Sequence, residues 1–466
     1  MKYFEEPARK LPVREFDVIV AGGGTAGVVA ALAAARQGAR TALIESKGYL
    51  GGIVVEGGTA LHSFYNLWKA FPGVEKRQVV KGIPQEIIDR LAQKGGTTGH
   101  AEMLMGYDYD SVCTVIDTEI YKLVAFEMLE EAGVSIFVNT LLTGAVMEGT
   151  RVKCVLTESH SGREALFAAS FVDCTGYGDL CAQAGAGFTE PNDYMAANSI
   201  GVGGVNVEEY YRFFNRCDAL TNYCEGIRDG RDGRIVRIDG NLRKASPEFA
   251  EEAQKIGMSS VITTLHDDYF MFLKLNYKLP VSPTDRDGAA LAEVELKKRQ
   301  FKAVELLRKY VPGCEQAFIA RTSPSLCIRR GRCINCDYDI TLDDVLQGRH
   351  FEDDVFTYGF HDYAPRLQIR NGGTYGIPYR ALRVSGIDNL LAAGMMITSD
   401  HDAHMSTRNT VSCMGQGQAA GTAAAICAVK GYGTREVPFS LLKETLLKDG
   451  VYLEGQHQTI EKETKV

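Results

Sequence analysis

The chain has few cysteines for its length: 12 among 466 residues, scattered without a repeating framework. That density excludes a small disulfide-stapled secreted scaffold, and a chain this long can bury a core without staples. It also lacks a basic surplus. Lys and Arg total 51 against 59 Asp and Glu, a formal charge of -8. This balance argues against nucleic acid as the main partner. No apolar run survives long enough to cross a membrane. The longest uncharged stretch, Val18 to Ala35, is broken near its start by Gly22, Gly23, Gly24 and Gly27, so a strand, a turn and a buried helix account for it better. The N-terminal MKYFEEPARK carries charge where a signal peptide would be apolar. A reducing cytoplasmic location is therefore expected. Internal repeats and low-complexity tracts are absent too. With 45% hydrophobic and 24% charged residues, the composition is that of a soluble globular protein of two or three domains.

What is present is concentrated near the N-terminus. FDVIVAGGGTAGVVAALAAARQGARTALIE, Phe16 to Glu45, reads as strand, glycine turn, Ala-rich helix, second strand. Gly22, Gly24 and Gly27 have the spacing of a dinucleotide-binding turn. The first permits the tight turn, the second a close approach of backbone to pyrophosphate, and the third close helix–strand packing. Thr25 and Ala26 open the helix, whose N-terminus offers unpaired N–H groups and a partial positive charge to phosphates. Glu45, followed by Ser46, ends the second strand where an acid can take a ribose hydroxyl.

Further along, PQEIIDRLAQKGG and TEIYKLVAFEMLEEAG read as amphipathic helices. VSIFVNTLLTGAVMEGTRVKCVLTES alternates as a β-meander, and ALFAASFVDCTG as a strand pair ending at Thr175-Gly176. From about Asn198 to Ala320, aromatic segments and charged helices suggest an inserted α+β substrate or cap domain. NLLAAG is a strand delivering Gly394. From Gly415 onward, GQGQAAGTAAAICAVK reads as a small-residue helix suited to close packing, with Gly417 in its first turn and an N-terminus able to stabilise negative charge. The polar end HQTIEKETKV is expected to fray.

Taken together, these motifs resemble the bacterial FAD-dependent oxidoreductases, glutathione reductase-like flavoproteins related to fumarate reductase and to tRNA-modifying GidA-type enzymes. The resemblance rests on EFDVIVAGGG, the doublet in KGYLGG, DCTGYGDLCAQAGA, RKYVPGCEQAFIARTSP, YGIPYRAL, DNLLAAG, HDAHMSTR and SCMGQGQAAGTAAA. It implies FAD rather than NAD, because a glycine pair soon after the ribose acid is familiar in such flavoproteins. The implied fold is α/β: a Rossmann-like FAD-binding domain with a central parallel sheet and β-meander, and an inserted α+β cap. The expected segments are 12–197 and 321–432 for FAD binding, 198–320 for the cap, and 433–466 as a C-terminal extension. Cofactor contacts are implied at Gly22, Gly24, Gly27, Glu45, Gly51, Gly52, Thr175, Gly176 and Gly394, with the region around Leu142 near the adenine. The family's DGD after the Thr-Gly turn is here Tyr177-Gly178-Asp179. In CIRRGRCINCDYDIT the family's Arg329 and Arg332 are kept, while Arg330 and Cys333 depart from its pattern.

Four histidines, His62, His361, His401 and His404, are acid–base candidates; His401 is preferred for following Gly394 closely. Arg408 and Arg329 are expected to orient substrate, and Arg330, Arg332, Arg370 and Arg380 are further anion-binding candidates. In SDHDAHMSTRNTVSCMG the histidines and aspartates suggest metal in isolation. Their place between Gly394 and the small-residue helix makes a flavin-facing loop the preferred reading. Cys327, Cys333 and Cys336 supply one CxxC pair and no second, so free cysteines are expected rather than a metal centre. The expected activity is hydride transfer between an alcohol or amine carbon of a small polar substrate and flavin N5. Reduction of an activated double bond and RNA modification are the alternatives. The electron acceptor is unassigned, no membrane partner is expected, and a homo-oligomer is possible.

Overall fold

The computed structural model describes residues 4–57, 77–105, 112–362 and 367–454, and the backbone of 61–62 and 66–67. The terminal segment 455–466 and the side chain of His62 lie outside the described residues.

A five-stranded parallel sheet forms the centre. Its strands run in the order Leu390–Ala392, Ser170–Asp173, Val18–Ala21, Thr41–Ile44, Ser135–Phe137. All residues of Val18–Ala21, Thr41–Ile44, Ser170–Asp173 and Leu390–Ala392 are buried, which explains why all but the third, with Ser170 and Asp173 at its ends, are continuous apolar or β-branched runs rather than alternating ones. The helix Thr25–Arg36 leaves the first strand at the glycine turn. The meander Leu141–Glu148, Arg151–Ser159, Gly162–Phe167 pairs antiparallel beside it, as the turn signals at Glu148-Gly149 and Ser161-Gly162 predict.

A second body is a six-stranded antiparallel sheet, in the order Leu220–Arg228, Arg231–Gly240, Met258–Thr263, Tyr269–Tyr277, Ala196–Gly203, Phe318–Thr322. The 25-residue helix Arg286–Tyr310 packs on it. This sheet has its own apolar core, including Ile200, Phe214, Phe270, Leu273 and Leu296.

The end of the chain corrects one expectation. HDAHMST is not a loop but a short helix, His401–Thr407, capped by the Asp400 carboxylate, which accepts from the N–H groups of Asp402 at 2.9 Å and Ala403 at 3.1 Å. The small-residue helix starts at Thr410, five residues before the glycine that seemed to open it, and runs to Lys430. Glycine is a poor guide to a helix start when its role is packing. A Cβ on Gly417 would lie 2.2 Å from the carbonyl oxygen of Ala26, and one on Gly421 2.1 Å from that of Ala30. The two Ala-rich helices therefore touch backbone to backbone.

Replacing Gly417 by Ala is expected to destabilise the protein by about 2 kcal/mol through overpacking, more than offsetting alanine's better helix propensity. Chemical denaturation measures this, and a variant as stable as the parent contradicts the contact.

Candidate active site

The ends of the parallel strands converge on one cleft of about 260 Å³. Its wall includes Gly22, Gly24, Thr25 and Ala26 from the glycine turn, Glu45 and Ser46 from the second strand's end, and Gly52. Leu142, Thr175, Gly176, Gly394 and Arg408 complete the predicted set found there. Gly27, Gly51 and Gly417 do not line it. A Cβ on Gly27 would lie 1.7 Å from the Gly22 carbonyl oxygen, so this glycine serves the strand–helix contact. Gly51 faces the Tyr121 ring and Val55, and its N–H donates to the Gly23 carbonyl at 2.9 Å. Gly417, expected at the cofactor, is instead committed to the helix contact with Ala26.

Local structure explains how the wall is held. The Glu45 carboxylate accepts from Gly23 N at 2.8 Å and Lys47 N at 2.9 Å, tying the strand end to the glycine turn. Buried Asp173 accepts from Thr175 N at 2.9 Å, Thr175 Oγ1 at 2.8 Å and Cys181 N at 2.8 Å. Burial raises its pKa, which these donors oppose. Gly394, at φ +117°, takes a conformation closed to most side chains, and its N–H donates to Gln416 Oε1 at 2.8 Å. Gln416 Nε2 in turn donates to the Thr407 carbonyl at 2.8 Å.

The cleft fits a dinucleotide by two observations. Gly24 has an ordinary φ of -71°, and a Cβ there would meet only Gly52 Cα at 3.9 Å; its missing side chain leaves bare backbone facing the cleft. The helices Thr25–Arg36 and Thr410–Lys430 both begin at this wall, and neither has a side-chain cap or an acidic residue in its first turn. Their first N–H groups are thus available to anionic groups.

A second cavity, of about 510 Å³, adjoins the first and shares Ile53, Ile328, Met395, Arg408 and Thr410 with it. Arg329 and His401 line this one, with Asp193, Tyr194, Lys274 and Asp362. His401 stacks on Tyr194 at 4.6 Å between ring centroids, and its Nδ1 lies 2.7 Å from Asp193 Oδ2. The same oxygen accepts from Arg330 Nη1 at 2.7 Å. Arg408 is paired with Asp362. His404 is separate from His401. It is buried and outside both linings, and its Nε2 lies 3.0 Å from the Arg329 carbonyl oxygen. Burial, with Arg408 and Arg330 nearby, drives its pKa well down. It is therefore a neutral ring that fixes backbone, not a group that meets substrate.

Other candidates are placed away from the cavities. His361 is buried with Nε2 2.7 Å from the Asp402 carbonyl oxygen. Arg332 donates to Asp179 at 2.8 Å and to the Tyr177 carbonyl. Arg380 is paired with Asp353, and Arg370 reaches Gln347. Arg330 is buried and spent on Asp193, Cys333 and two carbonyls. Cys327, Cys333 and Cys336 are free thiols, and no group of three metal-ligating side chains occurs among the described residues. No helix among them is long and apolar enough to cross a membrane. Asp193, Tyr194, Lys274 and Gln416 were missed in the sequence. Only Gln416 stands in a quoted motif, and the role of each depends on what the fold brings beside it.

Fold and cleft together define a dinucleotide-binding enzyme of the α/β type. The chain belongs to the FAD dependent oxidoreductase family, whose model matches residues 17–446, and its cofactor is FAD. No curated protein sequence matches it. Similar solved structures include a geranylgeranyl bacteriochlorophyll reductase-like protein from Thermoplasma acidophilum, at 14% identity and TM-score 0.48, covering 94% of this chain and 84% of that one. Another is a p-nitrophenol 4-monooxygenase from Pseudomonas putida, at 11% identity and TM-score 0.47, covering 97% and 93%. A myxobacterial chondrochloren halogenase matches at 11% and 0.47, covering 97% and 89%.

Gly24→Val is expected to leave the stability of the FAD-free protein within about 0.5 kcal/mol of the parent, because its Cβ makes only one ordinary contact, with Gly52 Cα at 3.9 Å. FAD should no longer copurify. Retention of stoichiometric flavin, read from the absorbance spectrum, would remove Gly24 from the cofactor site.

Proposed function

We propose that this FAD-dependent oxidoreductase oxidises a small polar substrate at an alcohol or amine carbon, with His401 as the proton acceptor. The observation that carries this is the His401–Asp193 pair at the wall of the cavity adjoining the FAD cleft. Asp193 also accepts from Arg330 through the same oxygen, and a carboxylate offers acceptors only. His401 Nδ1 must then carry the proton, and the neutral ring presents Nε2 as a base. Nε2 has no partner among the described residues.

When bound, FAD would be held by the cleft lined by Gly24, Glu45, Gly52 and Gly394, and would supply two-electron redox chemistry as the oxidant of the substrate carbon. The chain's own residues do the rest. His401 Nε2 takes the proton from the substrate's O–H or N–H as its carbon is oxidised. Asp193 holds the ring's orientation and stabilises the imidazolium that forms. Arg408, common to both cavities, sets positive charge at their junction. Gln416 ties the turn at Gly394 to the end of the helix bearing His401, so cofactor wall and base are positioned together.

Mixing the FAD-loaded enzyme anaerobically with a panel of alcohols, amines, hydroxy acids and amino acids should bleach the flavin with at least one of them. His401→Asn should keep its flavin and slow bleaching by about 10²–10⁴-fold, and Asp193→Asn should slow it by a smaller factor. A His401→Asn enzyme as fast as the parent rules out this role, and a flavin bleached by no member of the panel defeats the oxidation reading.

A further inference from the structure

Charge in the second cavity does not balance. Asp362 is paired with Arg408, and Asp193 with Arg330 and His401. That leaves Lys274 and Arg329. Arg329 spends two donors on neutral acceptors, the Met195 carbonyl oxygen at 3.0 Å and Asn276 Oδ1 at 3.2 Å. Lys274 Nζ has no hydrogen bond or ion pair among the described residues, although its side chain is half-buried and the surface it keeps lines the cavity. An unpaired ammonium in such a place is costly, and long buried side chains seldom go without a counter-charge.

Its position is not accidental to the strand. Phe272, Lys274 and Asn276 alternate along Tyr269–Tyr277 and so share one face. Phe272 and Lys274 line the cavity, while Asn276 holds the Arg329 guanidinium. The sheet thus delivers one ammonium directly and braces one guanidinium beside it. Both stand across a cavity that also holds His401 and the junction residue Arg408.

We propose that Lys274 and Arg329 form a carboxylate-binding subsite, so that the substrate is a carboxylic acid bearing the alcohol or amine that is oxidised. This rests on the oxidation reading above and names its substrate class. The ammonium donates to one carboxylate oxygen and the guanidinium to the other. The acid is thereby anchored at one end, and its reacting carbon is left to the side of the cavity shared with the FAD cleft. The anion also returns to both cations the counter-charge that the fold withholds.

The groups facing Lys274 make a pH signature. Burial, then Arg329 and Arg408, lower its pKa to about 8, against opposing effects of Asp362 and Cys327. Burial, then Arg408, also lower that of Arg329. Tyr194, Asp193 and His401 complete the charged or titratable lining. Below about pH 8 Lys274 is protonated and binds an anion; above it the charge is lost and affinity should fall.

The experiment titrates the FAD-loaded full-length protein with isobutyrate and with isobutyramide, which has the same shape without the charge. Flavin absorbance and thermal shift report binding. Isobutyrate is expected to bind about tenfold or more tightly than the amide, and to weaken above about pH 8. Lys274→Met should abolish the preference and the pH dependence, and Lys274→Arg should restore the preference without the pH step. Lys274→Met should also raise the melting temperature of the ligand-free protein, since it removes an unpaired, half-buried charge; a purely structural lysine would lower it. Equal affinity for acid and amide overturns the subsite, as does isobutyrate binding unchanged in Lys274→Met. Tighter binding of inorganic phosphate than isobutyrate overturns its assignment to carboxylates. Bleaching by uncharged alcohols, equally fast in Lys274→Met, overturns the subsite and leaves the oxidation reading standing. Isobutyrate binding with no bleaching by any alcohol or amine does the reverse.

Discussion

The rest of the structure depends on carbon atoms that are missing. Gly27 lies against the Gly22 carbonyl, Gly417 against that of Ala26 and Gly421 against that of Ala30. Each contact is too short for a methyl group. Together they lay the first helix against its strand and the long C-terminal helix against the first. Two segments nearly 400 residues apart in the chain then begin their helices at the wall of one cleft. Both starts lack side-chain caps, whereas the neighbouring helix His401–Thr407, which faces the second cavity, is capped by Asp400. The uncapped ends leave N–H groups for an anionic ligand; the capped one has its own carboxylate. Close packing and cofactor binding are therefore one device.

The second cavity inverts the usual logic of a protein interior. Buried charges are normally paired. Here Arg330 is paired and hidden, Arg408 is paired and at the junction, and Arg329 and Lys274 stand at the wall without a carboxylate. Asp193 is shared between Arg330 and His401, which both neutralises a buried guanidinium and holds the imidazole in place. Gln416 links this chemistry to the cofactor side by bonding Gly394 and Thr407 at once.

Several of these features were legible in the sequence. The strand, glycine turn, helix and strand of Phe16 to Glu45 stand as read, because each is specified by neighbours within a few residues. Glu45, Thr175, Gly176 and Gly394 fall on the cleft for a related reason: in a parallel sheet, strand ends converge on one edge. The helix at Thr410 was misplaced because Val411, Ser412 and Cys413 carry no strong local signal, while Gly415 and Gly417 look like a turn. Their small size answers instead to Phe356 and Ala26. His401 was preferred only for its nearness to Gly394, while the separate burial of His404 had no local sign, since two histidines on one short helix differ in what surrounds them.

The sequence by itself determined the dinucleotide turn, the parallel strands and their closing glycines. These depend on local backbone freedom and hydrophobic period, which are written in consecutive residues. Only the tertiary structure decided which histidine meets the cavity, that Asp193 orients it, and that Lys274 is left unpaired. Charge balance and tautomer are set by distances between groups some 80 to 200 residues apart, and no local pattern encodes such a distance.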